Sequence, residues 1–118
     1  MSRMTPIETA KRYVELFNAN KMGDMGRLFA EEGLWEPPNG TPPTRGRAAI
    51  VAGYEALAEQ VAAMTFEQVR YYESGRFAFA EMVSMSPAGP VGRVMDVFEV
   101  SEAGEILRMT GYSGPAPS

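Results

Sequence analysis

The sequence predicts an α+β fold in which helices from the first half of the chain cover one face of a curved sheet formed by the second half. Up to about residue 61, apolar residues recur every three or four positions, which is the spacing of amphipathic helices. From Thr65 onward the apolar residues alternate, and turns rich in Gly or Pro separate the alternating segments, as between strands. Three helices followed by a run of strands are typical of an α+β domain. The 118 residues suffice for a single domain, residues 1–118, with one hydrophobic core.

The first helix is predicted from about residue 6 to residue 20. Thr5 and Glu8 are spaced as a capping box, in which each side chain accepts a hydrogen bond from the backbone amide of the other residue. Pro6 suits the first helical position because a backbone N–H there has no acceptor within the helix, so that the absence of this hydrogen from proline costs no hydrogen bond. The apolar face of this helix consists of Ile7, Ala10, Val14 and Phe17, with Tyr13 beside it.

A short second helix and a short strand are expected next. Asp24 can cap the helix, which carries Phe29 and is predicted to end near Gly33. Residues 34–36 then indicate a strand that leads into a rigid, Pro-rich turn. Glu36 stands at the end of this strand, directly before the first proline of the turn.

A third helix and four strands complete the prediction. The helix begins after Gly46, because Ile50, Tyr54, Leu57 and Val61 again follow helical spacing. The predicted strands are residues 65–72, 76–85, 91–100 and 105–112, and the last three of them are expected to form an antiparallel meander. Residues 114–118 are predicted to be a flexible tail.

Asp96 is the residue of greatest chemical interest, because a carboxylate stands where an apolar side chain is expected. It shares its strand face with Val94 and Phe98. Moving a charge from water into an apolar site is costly, so such a group tends to keep a proton. A neutral carboxylic acid donates a hydrogen bond and can stabilise a developing oxyanion. Periodicity alone leaves open the alternative that Asp96 is exposed and paired with Arg93 or Arg108.

The composition excludes several classes of site. The absence of Cys excludes disulfides, thiolate nucleophiles and iron–sulfur ligation, and the absence of His removes the commonest general base and most transition-metal sites. Acid–base catalysis would therefore have to use carboxylates, tyrosines or lysines. The formal net charge of −4 and the scattered basic residues argue against a nucleic-acid partner. No apolar run suggests a signal peptide or a membrane span, so a cytoplasmic location without membrane association is expected.

Segments along nearly the full chain, from about Pro6 to Tyr112, resemble the bacterial Δ5-3-ketosteroid isomerases. These segments are Tyr13-Val14, Leu16-Phe17-Asn18-Ala19, Leu28-Phe29-Ala30-Glu31-Glu32, Leu34-Trp35-Glu36-Pro37, Gly40-Thr41-Pro42-Pro43 with Gly46, Met95-Asp96-Val97-Phe98 and Gly104-Glu105-Ile106-Leu107-Arg108-Met109. The resemblance implies an NTF2-like fold, in which three N-terminal helices and a curved, mainly antiparallel sheet form a cone around a deep apolar pocket. It also implies a homodimer and an isomerase that needs no metal or other cofactor and moves a double bond into conjugation with a 3-keto group.

The resemblance implies roles for four residues. Tyr13 and a protonated Asp96 would donate hydrogen bonds to the oxygen of a dienolate, and Glu36 falls where the family has its general-base aspartate. Tyr54 matches a tyrosine that hydrogen-bonds the catalytic one. The expected substrate is a hydrophobic, steroid-like ketone, and the candidate pocket residues are Phe29, Phe79, Met82, Met85, Phe98 and Met109.

Two other functions stay open from the sequence. Glu36 has one methylene more than aspartate, a displacement of roughly 1 Å that matters for proton transfer. Either the turn after Glu36 shifts the backbone and so compensates for the longer side chain, or the substrate is another hydrophobic carbonyl compound, such as a polyketide. The third possibility is a binding module without catalysis, in which Tyr13 is a core residue and Glu36 a solvated one.

Overall fold

The computed structural model describes residues 4–117 and has the α+β architecture that the sequence predicts. Three helices pack on a six-stranded sheet whose strand order is β2-β1-β6-β5-β4-β3. The elements are α1 Pro6–Asn18, α2 Met22–Arg27, β1 Phe29–Glu36, β2 Thr44–Arg45, α3 Arg47–Leu57, β3 Thr65–Ser74, β4 Phe77–Ser86, β5 Gly89–Val100 and β6 Ile106–Gly114. No helix among the described residues is long and apolar enough to cross a membrane.

The sheet is mixed, and its one parallel pair positions the N-terminal strand. Strands β3 to β6 form an antiparallel meander, and the part formed by β4 to β6 confirms the prediction. Strand β1 instead joins β6 in parallel, with Trp35 opposite Met109 and Glu36 opposite Thr110. Because side chains at paired positions lie on the same side of a sheet, this register decides which residues of β1 face the helices.

The predicted capping box of the first helix is confirmed. The predicted cap and the predicted end of the second helix are wrong. The Thr5–Glu8 capping box is present, with hydrogen bonds of 2.8 and 3.2 Å. The second helix ends at Arg27, and Phe29 starts β1, because pairing with β6 extends the backbone there. Asp24 does not cap this helix but forms an ion pair of 2.8 Å with Arg27.

The two faces of the sheet differ in what covers them. On the helix-facing side, alternate residues of β4 and β5 are buried against α1, including Phe98, and α3 packs on β1. The other side, here called the outer face, carries the residues between them. Of the expected pocket residues, those on the helix-facing side and in the core are Phe29, Met82, Phe98 and Met109. Phe79 and Met85 lie on the outer face, because a shift of one residue along a strand reverses the side chain's direction.

Strand β6 extends to Gly114, whereas the predicted strand ends at residue 112. Gly114 is still paired with Arg93 at the end of β6, and Pro117 lies against the sheet, where it lines a pocket on the outer face. Ser118, the last residue of the predicted tail, lies outside the described residues.

Gly26 allows α2 and α3 to approach closely. A Cβ at this position would lie 2.7 Å from the Cα of Val51, and backbone atoms cannot move aside as a flexible side chain can. We expect Gly26→Ala to lower the free energy of unfolding by about 1–3 kcal/mol, measured by urea denaturation. Gly114→Ala is the matched control, because a Cβ there meets nothing within 4 Å. Equal losses in both variants would contradict the close-approach explanation.

Candidate active site

Asp96 lies in the middle of β5 on the helix-facing side, and only 4 % of its surface is exposed. This placement contradicts the alternative in which Asp96 is exposed and paired with an arginine. Its cross-strand neighbours are Ala80 and Gly111, the two smallest residue types.

Burial raises the pKa of Asp96 from its ordinary value of 3.8 to about 7, because the ionised form loses its hydration. Burial is the only cause of this shift, with no contribution from a hydrogen bond or a neighbouring charge. At neutral pH the acid and the carboxylate are therefore both populated, whereas the sequence suggested a group that keeps its proton. A group with a pKa near the working pH can both give and take a proton.

Tyr13 lies on the same side of the sheet as Asp96 and keeps its proton. Burial, followed by the electrostatic effects of Tyr54 and Asp96, raises the pKa of Tyr13 well above its ordinary range. The ring of Tyr13 packs edge-on against Phe98 with 5.0 Å between the ring centroids. Phe98 is two residues from Asp96 on one strand face, so a phenol donor and a titratable carboxyl group share one part of the interior.

Tyr54 connects this pair to the third helix. Its hydroxyl is hydrogen-bonded to the hydroxyl of Tyr13, and burial raises the pKa of Tyr54 well above its ordinary range. Trp35 stacks on the ring of Tyr54 with 4.1 Å between the centroids, and Gly53 leaves room for the indole. Sequence reasoning did not find this role of Trp35, although alternation along its strand could have placed it facing the helices.

Pro38 closes the site from the side of the Pro-rich turn. A Cβ at Gly111 would lie 3.1 Å from Cδ of Pro38 and 3.3 Å from Oδ1 of Asp96, so a side chain here would crowd both the turn and the carboxyl group. The hydroxyl of Ser113 donates a 2.9 Å hydrogen bond to Oδ1 of Asn39 and ties the turn to β6. Sequence reasoning missed Gly111, for which the only sign was a glycine inside a strand pattern.

The structure does not bring Glu36 to this side of the sheet. The hydroxyl of Thr110 donates a 2.6 Å hydrogen bond to Oε1 of Glu36, and Nη1 of Arg108 lies 3.6 Å from the same oxygen. These partners lie on the outer face. The physical reason is the parallel register with β6, which directs Trp35 inward and consequently Glu36 outward.

Comparison with known proteins identifies this arrangement of helices and strands. Residues 10–109 match the family of SnoaL-like domains. A candidate polyketide cyclase from Pseudomonas putida KT2440 is 20 % identical over 94 % of this chain and 92 % of that one, with a TM-score of 0.77. An NTF2-like protein of unknown function from Mesorhizobium loti is 24 % identical over 91 % and 88 %, with a TM-score of 0.75. A candidate isomerase of the SnoaL-like family from Agrobacterium tumefaciens is 20 % identical over 92 % and 97 %, with a TM-score of 0.74.

These similarities confirm the NTF2-like fold that the sequence predicts, with helices packed on a curved, mixed sheet. At such low identity they establish the fold alone. They do not single out the ketosteroid isomerases among the enzymes and binding proteins that share this fold.

Proposed function

The chain belongs to the SnoaL-like domain family, and from that premise we propose that it is a cofactor-independent enzyme that forms an enolate from a hydrophobic carbonyl compound. The observation that carries the proposal is the environment of Asp96. Its carboxyl group is 4 % exposed, has a pKa of about 7 and shares the helix-facing side of the sheet with the protonated phenol of Tyr13. Perturbed acids in such settings are frequent at catalytic sites.

In the proposed reaction, the carboxylate of Asp96 removes a proton from the carbon next to the carbonyl group. Negative charge then develops on the carbonyl oxygen, where Tyr13 donates a hydrogen bond that stabilises it. The hydroxyl of Tyr54 can donate to Tyr13, which leaves the proton of Tyr13 directed at the substrate. Because Glu36 lies on the outer face, Asp96 is the residue that moves the proton in this mechanism. Tyr13 donates the hydrogen bond to the oxyanion.

The Pro-rich turn would control access to this site. Asp96 is nearly inaccessible and Pro38 packs over Gly111 beside it. Movement of the turn would open a path to the carboxyl group and would break the hydrogen bond between Asn39 and Ser113. Once the turn has closed again, water is excluded and hydrogen bonds to the enolate become stronger.

Two outcomes of a common enolate fit the site. Return of the proton from Asp96 to another carbon of the conjugated system would move a double bond, as in a 3-ketosteroid Δ5-isomerase, and the segments that resemble that family favour this outcome. Attack of the enolate carbon on a second carbonyl group of the same molecule would close a ring, and Asp96 would return its proton to the alkoxide formed on that carbonyl oxygen. The structural similarity to a candidate polyketide cyclase favours this second outcome.

The proposal is tested by following the exchange of substrate hydrogens with solvent deuterium. A hydrophobic ketone such as 2-tetralone is incubated with the protein in D₂O, and loss of the proton signal beside the carbonyl group is measured by NMR. We expect exchange well above the buffer rate and its loss in Asp96→Asn. Exchange that is equal with and without protein would reject enolate formation for this ketone class. Addition of 5-androstene-3,17-dione, followed by the absorbance of the conjugated enone, then tests the steroid reaction specifically.

Replacement of Glu36 is expected to have little effect on this exchange. Glu36→Gln keeps an acceptor for Thr110 and changes only the outer face, so we expect the exchange rate to change by less than about threefold. The same NMR measurement checks this, and thermal unfolding shows whether the variant is folded. A folded Glu36→Gln variant without activity would restore Glu36 as the general base.

A further inference from the structure

Trp35, the one tryptophan of the chain, covers a face of the Tyr54 ring. It lies on the helix-facing side of the sheet, with 8 % of its surface exposed. Its indole is stacked on Tyr54, with 4.1 Å between the centroids and 20° between the planes. The rings of Tyr13 and Phe29 lie farther from Tyr54, at 6.1 and 6.3 Å, and are inclined to it by 76° and 42°. Trp35 is therefore the partner that fits the plane of the Tyr54 ring.

The indole is itself held by a helix and by the sheet. Gly53 precedes Tyr54 on α3, and a Cβ at Gly53 would lie 2.9 Å from Cζ3 of Trp35. This distance is shorter than van der Waals contact, so a larger residue at position 53 would displace the indole. On the sheet, Trp35 is opposite Met109 in the parallel pairing of β1 with β6. The position of the indole is thus set by the close approach of α3 and by the strand register together.

The contacts of Trp35 lead to Tyr13 by two routes. Through α3, Trp35 contacts Tyr54, whose hydroxyl is hydrogen-bonded to the hydroxyl of Tyr13. Across the sheet, Met109 lies between Trp35 and Phe98 in one cross-strand row. Phe98 in turn packs edge-on against Tyr13, with 5.0 Å between the centroids. Both routes end at the phenol that donates to the enolate oxygen in the proposed reaction.

Packing decides the orientation of the Tyr54 ring, because its polar contact alone does not. Within residues 4–117, the hydroxyl of Tyr54 is hydrogen-bonded only to Tyr13. A single hydrogen bond at the end of a ring does not fix the plane of that ring, and the bond weakens when its donor and acceptor move out of line. Stacking against Trp35 fixes the plane, and so keeps the hydroxyl of Tyr54 in line with that of Tyr13.

We propose that Trp35 is a positioning residue, which holds the ring of Tyr54 in place and thereby keeps the proton of Tyr13 directed at the substrate. The inference rests on the proposed enolate chemistry, and Trp35 acts through the two tyrosines. Negative charge on the carbonyl oxygen develops only in the transition state, so a misdirected hydrogen bond should lower the rate more than the affinity for the ketone. A displacement of about 1 Å can lower a rate by about a hundredfold.

Three substitutions test this role. Trp35→Leu removes the stacked ring, and Gly53→Ala keeps every aromatic side chain but displaces the indole. We expect each to lower kcat for exchange of the ketone hydrogens by about tenfold or more, with KM changed by less than about threefold. Trp35→Phe keeps a ring that can stack, so its kcat should stay within about threefold of the wild-type value. Both constants are obtained by NMR in D₂O at several concentrations of 2-tetralone.

Val100→Ala is the control for lost stability. Val100 is 1 % exposed at the end of β5 and belongs to the core, but it is not part of either route to Tyr13. Its substitution removes buried methyl groups and should destabilise the fold, while kcat stays unchanged. Urea unfolding of all variants shows whether they are folded and how much stability each has lost.

A measurement without substrate separates this inference from the proposed reaction. The proton between the hydroxyls of Tyr13 and Tyr54 is buried, so it should give a proton NMR resonance in ordinary water that disappears in Tyr54→Phe. We expect this resonance to shift in Trp35→Leu and Gly53→Ala and to stay in place in Trp35→Phe. If the wild-type protein exchanges no ketone hydrogens, the proposed reaction fails, whereas the shifted resonance still supports the positioning of the two tyrosines.

Two results would overturn the inference. The first is an active wild type with an unchanged kcat and an unchanged resonance in folded Trp35→Leu. The second is a fall in kcat that follows lost stability alone, so that Val100→Ala is impaired as much as Trp35→Leu and Trp35→Phe restores nothing. Trp35 would then be an ordinary core residue.

Discussion

Asp96→Asn should lower the rate of hydrogen exchange at the carbon beside the carbonyl group by about a hundredfold to ten-thousandfold, the range that general acid–base catalysis contributes. The amide cannot accept a proton at neutral pH, although it fills the same space between Ala80 and Gly111. The rate is measured by NMR in D₂O, with Glu36→Gln as the variant that alters a carboxylate on the other face. The same variant should still bind the ketone.

A second substitution at Asp96 separates its two conceivable roles. If Asp96 moves the proton, Asp96→Leu and Asp96→Asn should lose activity to a similar extent, because neither side chain is a base. If Asp96 only donates a hydrogen bond to the enolate, Asn retains a donor and should keep much more activity than Leu. A large difference between the two variants would therefore contradict the assignment of Asp96 as the base.

The pH dependence of the rate provides an independent check on this assignment. As a base, Asp96 is active when ionised, so kcat/KM should rise with pH and level off above its pKa of about 7. Tyr13 stays protonated over this range because its pKa is raised well above its ordinary value. Activity that falls as pH rises through 7 would instead show that the neutral acid is the active form.

The stability of the folded chain should also depend on the ionisation of Asp96. Its folded-state pKa lies above its unfolded value, so the favourable contribution is fully present below about pH 4 and is lost as pH rises through about 7. The shift from 3.8 to about 7 corresponds to a loss on the order of 4 kcal/mol. The physical cause is the cost of holding a carboxylate in an apolar interior.

This effect is measured by urea unfolding of the wild-type protein and Asp96→Asn from about pH 4 to about pH 8. The Asn variant cannot ionise, so its stability relative to the wild type should increase across this interval by an amount on the order of 4 kcal/mol. The other ionisable groups are common to both proteins and largely cancel in the difference. Two stability curves that run parallel would show that Asp96 has an ordinary pKa.

Several elements could be predicted from local sequence alone. The capping box at Thr5, the start of α3 after Gly46 and the four strands after Thr65 depend on residues close together in the chain. Their helical and alternating periods therefore identified the fold class, whereas the burial of Asp96 was decided by the tertiary structure. The prediction that Phe29 is helical was wrong, because contact with the distant strand β6 outweighs the local helical pattern.

The candidate site could be predicted only in part. The resemblance pointed to Tyr13, Tyr54 and Asp96 as one group, and the structure places all three side chains in the interior, with the two tyrosines in direct contact. The same resemblance joined Glu36 to them, whereas the structure places its carboxylate beside Thr110 on the outer face. The position of a residue in a sequence motif does not show which face of the sheet its side chain occupies, because the side-chain direction reverses with every residue of a strand.

By itself, the sequence determined that this is an α+β chain without histidine or cysteine, so that any acid–base catalysis must use carboxylates, tyrosines or lysines. Only the tertiary structure decided the parallel register of β1 on β6, the burial of Asp96, and the position of Pro38 against Gly111. The physical reason is the separation along the chain of the residues that interact. Helix and strand periods depend on neighbouring residues. Registers, burial and the pKa values that follow from them arise between segments that are far apart in the chain.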